Sequence, residues 1–264
     1  MRLADLEPEF AAVPGTVSVW CAPLGAGPWY ARAEHVPHYA ASTMKVAVLL
    51  AAQHAHEAGT LDLDRPVPVT DRFASAAPGA PDYVLAHAPD DDPAPWERLG
   101  GTASLRWLAE RMIVRSSNLA TNIVLAHVGI GSAHREWARA GARHSRLGRG
   151  IEDAAARAAG ITNEVTAADL GALLAAATRA DRWVMATLAA TEHRDDLAAG
   201  LPPGTRIAHK SGWVTGVRHG AAVVEPAGGC PYLLVVCTTT ALPNGAARRL
   251  LARVAAVSVE QARA

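Results

Sequence analysis

The chain has 264 residues, 50% of them hydrophobic, and its 25 basic and 25 acidic side chains give a formal net charge of zero. A chain of this length can bury a large core, so we expect one large domain or two intertwined ones. A balanced charge without basic runs offers no field for a polyanion, which argues against nucleic acid as a partner.

Residues 1–10 lack the charged and then apolar pattern of a secretory signal, and no apolar run approaches the roughly 18 residues of a membrane span. We therefore expect a cytoplasmic protein without a membrane partner. The cysteines are odd in number and show no metal-ligand spacing, which indicates reduced thiols at Cys21, Cys230 and Cys237. Neither a metal ion nor another cofactor is expected.

The first elements are a hairpin and a helix. Residues 16–21 alternate apolar and polar side chains, and residues 28–34 can return beside them across a turn that contains Pro and Gly. Residues 41–58 contain neither Gly nor Pro and end at Gly59, which is typical of a helix with a glycine C-cap. Ser42 is expected at the beginning of this helix.

The middle of the chain is predicted to be helical. Residues 60–100 hold many of the prolines and predict a long surface connection with one short helix. Beyond it, apolar residues at helical spacing or Ala-rich stretches predict helices at residues 104–115, 119–128, 133–140, 152–159 and 167–178. The turn between the first two of these helices contains Ser116, Ser117 and Asn118.

The C-terminal part returns to strands, which are predicted at residues 206–213, 217–225 and 232–240 and are followed by a helix over 244–262. Strands at both ends with helices between them predict an α+β fold. Residues 1–58 and 200–264 would form a discontinuous sheet domain, and residues 59–199 an inserted helical domain, with the cleft at their junction.

Three short motifs fall at this junction: Ser42-Thr43-Met44-Lys45, Ser116-Ser117-Asn118 and Lys210-Ser211-Gly212. A serine hydroxyl is a poor nucleophile until a base takes its proton, and a lysine three residues later on a helix lies on the same face. Lys45 must then be neutral part of the time, which requires burial or a neighbouring cation such as Lys210. The alternative for this motif alone is a helix-capping Ser42 and a surface Lys45.

The remaining groups complete an acyl-transfer site. The backbone amides of Ser42 and Trp213 can form an oxyanion hole, and Gly212 allows a substrate backbone to approach the strand. Lys210 and Ser211 can bind a substrate carboxylate, while Ser116 relays a proton to the leaving group and Asn118 binds a substrate amide carbonyl. A solvated strand lysine, a capping Ser116 and a turn-stabilising Asn118 are the structural alternatives.

In this order the three motifs resemble the Ser-x-x-Lys, Ser-x-Asn and Lys-(Thr/Ser)-Gly signature of class A β-lactamases and penicillin-binding proteins. The resemblance runs from the opening hairpin to the closing helix, and residues 163–166 are similar to the end of the family's omega loop. It implies a three-layer sandwich with an antiparallel sheet of about five strands and an inserted all-helical domain. The implied activity is that of a serine hydrolase that cleaves an amide, an ester or a β-lactam through an acyl-enzyme on Ser42.

The sequence departs from the family where water attacks the acyl-enzyme. The β-lactamases carry a Glu-x-x-x-Asn pair whose glutamate activates this water, but none of Glu152, Asp153 and Glu164 has Asn four positions later. Glu152 or Asp153 could substitute, with solvation of a helix surface as the alternative role. A missing general base slows its step by roughly 10²- to 10⁴-fold, so we expect poor β-lactamase activity.

Two further positions differ. Ser117 stands where the β-lactamases usually have Asp, and His219, with Arg218 beside it, stands where many members place a carboxylate-binding arginine. Either of the latter is expected to bind the substrate anion, and His219 could also act as a base or be a strand histidine without a role in the site. The expected partner is a small acyl compound with a carboxylate. An acyltransferase acting on a small metabolite and a sensor module that stays acylated are alternative hypotheses that use the same residues.

Overall fold

A computed structural model describes residues 1–88 and 90–263. The strands in this part of the chain are β1 (Gly15–Pro23), β2 (Tyr30–Arg32), β3 (His38–Tyr39), β4 (Pro66–Pro68), β5 (Arg72–Phe73), β6 (Tyr83–Val84), β7 (Thr102–Ser104), β8 (Glu164–Val165), β9 (Arg206–Val214), β10 (Val217–Glu225) and β11 (Tyr232–Thr240). The α-helices are α1 (Glu7–Ala11), α2 (Lys45–Glu57), α3 (Pro93–Trp96), α4 (Leu105–Val114), α5 (Asn118–Val128), α6 (Ile130–Arg139), α7 (Ala154–Ala158), α8 (Ala167–Ala177), α9 (Arg182–Ala189) and α10 (Asn244–Arg263). Three 3₁₀-helices span Leu3–Leu6, Ala41–Met44 and Leu197–Gly200.

The two ends of the chain build one antiparallel sheet with the strand order β2-β1-β11-β10-β9. Both of its faces are covered, because successive residues of β10 are buried on opposite sides. Ala222 belongs to the same buried cluster as Leu251 of α10 on one face, whereas Ala221 belongs to the cluster of Leu170 of α8 on the other. The predicted α+β fold with helices on both sides of a five-stranded antiparallel sheet is therefore confirmed.

Helix α2 is the centre of the helical part. Its residues from Lys45 to Gln53 are all buried, which is typical of a helix that is enclosed by other elements. It packs against α4, α5, α6 and α8, while α8 also packs on β1 and β11. The predicted division at residues 58/59 and 199/200 stays a prediction. No helix within the described residues is long and apolar enough to cross a bilayer.

The structure differs from the sequence expectation in several elements. The predicted helix at 41–58 begins as a 3₁₀-helix, and the predicted helix at 152–159 is limited to α7. Helix α9 was not predicted, because it is short and follows a polar stretch. The described part of the connection at 60–100 contains α3 and the strands β4, β5 and β6, which have two or three residues each and are too short to show a period of two along the sequence.

Candidate active site

The backbone just before Ser42 is strained. Ala41 has a φ of +45°, a left-handed conformation that costs a non-glycine residue about 1–3 kcal/mol and that clusters at functional sites. The Thr43 amide donates to Ala40 O at 3.1 Å, whereas the Ser42 amide has no acceptor among the residues described. Ser42 is partly exposed, although Thr43 and Lys45 are buried. The hydroxyl and the backbone N–H of Ser42 are therefore both available to interact with a substrate.

Strand β9 lies directly against the backbone of Ser42 and Thr43. It is an edge strand, and a Cβ atom at Gly212 would lie 2.8 Å from Ser42 N and 3.0 Å from Thr43 N. Only glycine permits such a close approach of two backbones. Because Trp213 follows Gly212, the two residues whose amides were predicted to form the oxyanion hole belong to adjoining segments.

We expect Gly212→Ala to separate β9 from Ser42. The added methyl group would meet backbone atoms, which cannot rotate away, so the two segments must move apart by several tenths of an ångström. A displacement at the reacting centre is expected to reduce acyl transfer by roughly 10²-fold. Stopped-flow acylation kinetics measure this effect. The control is Gly25→Ala, whose Cβ meets nothing within 4 Å but whose φ is +78°, so that it carries backbone strain without the clash.

Lys45 reaches across to the turn before α5. Its Nζ donates to Ser116 O at 2.6 Å, to Ser116 Oγ at 3.2 Å and to Asn118 Oδ1 at 3.0 Å. The expected hydrogen bond to Ser42 is not present, and no described carboxylate lies within 4.0 Å of the ammonium. Burial holds the pKa of Lys45 well below its usual value, and the nearby Lys210 lowers this pKa further. Burial therefore shifts Lys45 towards the neutral amine that a base requires.

Lys210 approaches the same serine from the strand. Its Nζ donates to Ser116 Oγ at 3.0 Å and to Ser211 O at 2.8 Å, and it is also fully buried. Burial lowers the pKa of Lys210 to about 7, although the Asp196 and Asp91 carboxylates act in the opposite direction. The Ser116 hydroxyl thus lies between two amines, on a residue held at a φ of +60°.

Lys45 and Lys210 are the only lysines of the chain, so their titration can be followed without assignment of a crowded spectrum. In protein labelled with lysine at ¹³Cε, we expect two signals that both titrate below 10.5, with Lys210 near 7. Lys210→Arg removes one signal and assigns the other. Two titrations near 10.5 would contradict the burial of these amines.

The turn before α5 is organised by a residue that the sequence did not single out. The Asp90 carboxylate accepts hydrogen bonds from the Asn118 amide at 3.0 Å, the Leu119 amide at 2.9 Å and Ser117 Oγ at 3.2 Å. Asp90 belongs to the Pro-rich segment 60–100, which the sequence predicts to be a long surface connection. No local pattern reveals this contact, because 27 residues separate Asp90 from Ser117.

Arg218 and His219 are both buried on β10, on opposite faces of the sheet. Arg218 donates to Asp195 at 3.1 Å and to Asn244 at 3.1 Å, and its guanidinium stacks on the Trp213 ring. The charge of this arginine is therefore already balanced by protein groups.

Ser211, next to Lys210, has a buried hydroxyl without a partner in the described residues.

His219 does not have the arrangement that the sequence interpretation requires. Its Nε2 donates to Tyr39 O at 2.8 Å, and its Nδ1 accepts from the Thr238 amide at 3.1 Å. Burial lowers the pKa of His219 to about 4, so the ring is neutral at physiological pH. With both nitrogens used and no exposed surface, His219 has neither the charge to bind an anion nor a free atom to act as a base.

The acidic residues near the expected omega loop occupy three different environments. Asp153 caps α7 and accepts from Ser75 Oγ at 2.7 Å and from the Ala76 amide at 2.7 Å, which makes it a structural carboxylate. Glu164 pairs with Arg146 at 2.8 Å.

Glu152 differs from these two. It has a φ of +62°, and partial burial raises its pKa, with a further contribution from Asp90. In the part of the chain that is described, neither Glu152 nor Asp153 is hydrogen-bonded to Ser42, Lys45 or Ser116. No group of three or more His, Cys, Asp or Glu in that part is arranged to hold a metal ion.

Comparison with known proteins agrees with this architecture. The profile of a family described as the β-lactamase enzyme family matches residues 2–262. The chain belongs to the β-lactamase enzyme family. At the level of the family, this membership supports a serine hydrolase. No curated protein sequence matches this member of the family.

Solved structures share the fold at low sequence identity. The ancestral class A β-lactamase of Gram-negative bacteria has a TM-score of 0.83 and 22% identity, over 98% of this chain and 99% of its own. A β-lactamase from Xanthomonas campestris has a TM-score of 0.82 and 21% identity, over 100% of this chain and 96% of its own. PBP-A has a TM-score of 0.81 and 21% identity, over 99% of this chain and 95% of its own. The predicted resemblance to this family is confirmed.

Proposed function

We propose that this member of the β-lactamase family is a serine hydrolase that transfers an acyl group to Ser42. The observation that carries the proposal is the Ser116 hydroxyl, which lies 3.2 Å from Lys45 Nζ and 3.0 Å from Lys210 Nζ. A surface lysine and a simple capping serine would not be arranged in this way, because it is costly to the fold to bury two amines with no described carboxylate within 4.0 Å of either. Such a cost is typical of a catalytic site.

These groups are proposed to carry out acylation. Neutral Lys45 takes the proton of Ser42 as its Oγ attacks the substrate carbonyl, and the amides of Ser42 and Trp213 stabilise the oxyanion. Lys45 then returns this proton through Ser116 to the leaving nitrogen or oxygen, so that the bond to the leaving group breaks and the acyl-enzyme remains. Lys210, when protonated, attracts the substrate carboxylate, and the unpartnered Ser211 hydroxyl can donate to it.

Deacylation is proposed to be the slow step. The chain lacks the Glu-x-x-x-Asn pair, and Asp153 and Glu164 are engaged in structural contacts. Glu152 is the remaining carboxylate of this stretch. An acyl-enzyme formed from a β-lactam is therefore expected to persist, and an ester or amide with a carboxylate is the better candidate substrate.

The test is intact-protein mass against time after mixing with penicillin G, a chromogenic cephalosporin or an activated ester. Penicillin G is chosen because the structure of a PBP-A mutant is an acyl-enzyme complex with it. An adduct on Ser42 with continuing product release supports the hydrolase. An adduct that is released only by an added amine favours the acyltransferase alternative, and one that is never released favours the sensor. The absence of an adduct with all three probes would contradict the proposal.

A further inference from the structure

The middle residue of the second motif lacks a carboxylate, but the structure supplies one from another part of the chain. Ser117 stands where the β-lactamases usually have Asp. The Asp90 carboxylate lies 3.2 Å from Ser117 Oγ and also accepts from the amides of Asn118 and Leu119. We propose that Asp90 is the positioning residue for Ser116 and Asn118 and that it replaces, from a neighbouring loop, the acidic group that the motif itself lacks.

The position of Asp90 explains why a carboxylate is favourable there. The first amides of a helix have no intrahelical partner, and the helix dipole adds partial positive charge at this end. Helix α5 has 11 residues, and Asp90 accepts from its first two amides. Ser117 caps the same helix through its side chain, which accepts from the Ala120 amide at 3.2 Å. Ser117 and Asp90 therefore together cap the start of α5, which one acidic residue could do alone.

The loop that carries Asp90 is held by independent contacts. The indole Nε1 of Trp96 donates to Asp90 at 2.9 Å. Asp92 is fully buried, and both of its oxygens accept from the guanidinium of Arg111 near the end of α4. The backbone oxygen of Arg111 accepts from the Ser117 amide at 3.2 Å. Both sides of the turn are thus anchored, so Asp90 can hold Ser116 in its left-handed conformation.

Asp90 acts on the reaction through two neighbours. Asn118 Oδ1 accepts from Lys45, so a displaced turn would move both of the groups that contact this amine. The Asp90 charge also opposes the lowering of the Lys45 pKa, together with the Asp91 charge and against the Lys210 charge. Removal of the carboxylate would therefore change both the position and the titration of the base.

The experiment is a double-mutant cycle of Asp90→Ala and Ser117→Asp. We expect Asp90→Ala to slow acylation by roughly 10²-fold, because the reacting groups lose their alignment. Ser117→Asp alone places two carboxylates side by side and is expected to slow acylation by about 10-fold. In the Asp90→Ala background, the same substitution is expected to restore the rate to within about 5-fold of the wild type. If Asp90 were only a structural cap, the losses of rate in the two single variants would multiply in the double variant. The proposal instead expects Ser117→Asp to slow acylation in the wild type and to speed it in the Asp90→Ala background.

Two further variants separate charge from shape. Asp90→Asn keeps an acceptor oxygen and the side-chain size, and it serves if Asp90→Ala does not fold. We expect a lower Lys45 pKa in Asp90→Asn, read from the ¹³Cε signals. Asp91→Asn, on the same loop, removes a charge that also raises the Lys45 pKa, but no described hydrogen bond joins Asp91 to α5. This variant is therefore expected to lower the Lys45 pKa without displacing the turn and to change the acylation rate by less than about 3-fold.

The inference rests on the proposed acyl transfer at Ser42, and the two can fail separately. If the wild type forms no adduct, the proposed function fails, while the lysine titrations and the unfolding of the variants still report on Asp90. If the wild type forms an adduct and Asp90→Ala and Asp90→Asn both react within twofold of it, the role of Asp90 is wrong. If Ser117→Asp changes the acylation rate by the same factor in the wild type and in Asp90→Ala, the proposed role of Asp90 is also wrong.

Discussion

Replacing Ser42 with alanine is expected to lower the rate of adduct formation by roughly 10⁴-fold or more, because no other group can take the covalent step. The fold should persist. The Ser42 side chain does not cap its helix by a hydrogen bond, so the free energy of unfolding is expected to change by less than about 1 kcal/mol. Intact-protein mass against time measures the first quantity, and urea unfolding measures the second.

Ser104→Ala is a suitable control for this variant. Ser104 caps α4, and its Oγ accepts from the Trp107 amide at 3.2 Å, so its loss is expected to cost about 1 kcal/mol of stability. The control should nevertheless acylate at the wild-type rate. An adduct that still forms on Ser42→Ala, or that maps to another residue, would rule out Ser42 as the nucleophile.

Replacing Lys45 with arginine is expected to reduce acylation by roughly 10²- to 10⁴-fold, which is the usual contribution of a general base. Arginine keeps the positive charge and can donate to Ser116 and Asn118, but it cannot become neutral in a protein. The wild-type rate should rise with pH as Lys45 loses its proton, whereas the variant should not recover at any pH. Acylation rates across a pH series measure both effects.

Lys210→Arg provides the matched comparison, because both lysines are fully buried and each donates to Ser116. If Lys210 attracts the substrate carboxylate as a cation, a permanently charged arginine should retain more activity than Lys45→Arg. The loss at Lys210 should also be larger for substrates with a carboxylate than for those without one. An equal rate for Lys45→Arg and wild type would exclude Lys45 as the base.

The motif side chains to which we assign roles in acyl transfer could be named from the sequence, because the proposed chemistry requires particular residue types at short spacing. Lysine is an especially clear signal in this chain. Every basic position other than Lys45 and Lys210 is an arginine, which cannot lose its proton, and these two lysines are buried together. Their burial depends on α2, β9 and the turn before α5, so it follows from packing and not from any local pattern.

A residue type that has several uses is harder to interpret from the sequence. Arg218 and His219 are neighbours in the chain, but the pleat of β10 places them on opposite faces, where one binds aspartates and the other binds backbone groups. Asp90, by contrast, lies in a segment that was predicted only to be a surface connection, yet it contacts the start of α5. Its use could not be predicted, because a carboxylate in a loop has no period or spacing that identifies its distant partner.

The sequence by itself determined the α+β class, the strands of the five-stranded sheet, the helices of ten or more residues and the motif residues, because each depends on local spacing and composition. Tertiary structure alone decided which polar groups meet. It placed Ser116 between two amines, held Gly212 against Ser42, satisfied both nitrogens of His219 and brought Asp90 to the start of α5. The physical reason is that hydrogen bonds and desolvation act over a few ångströms in space, whereas these partners are tens of residues or more apart in the chain.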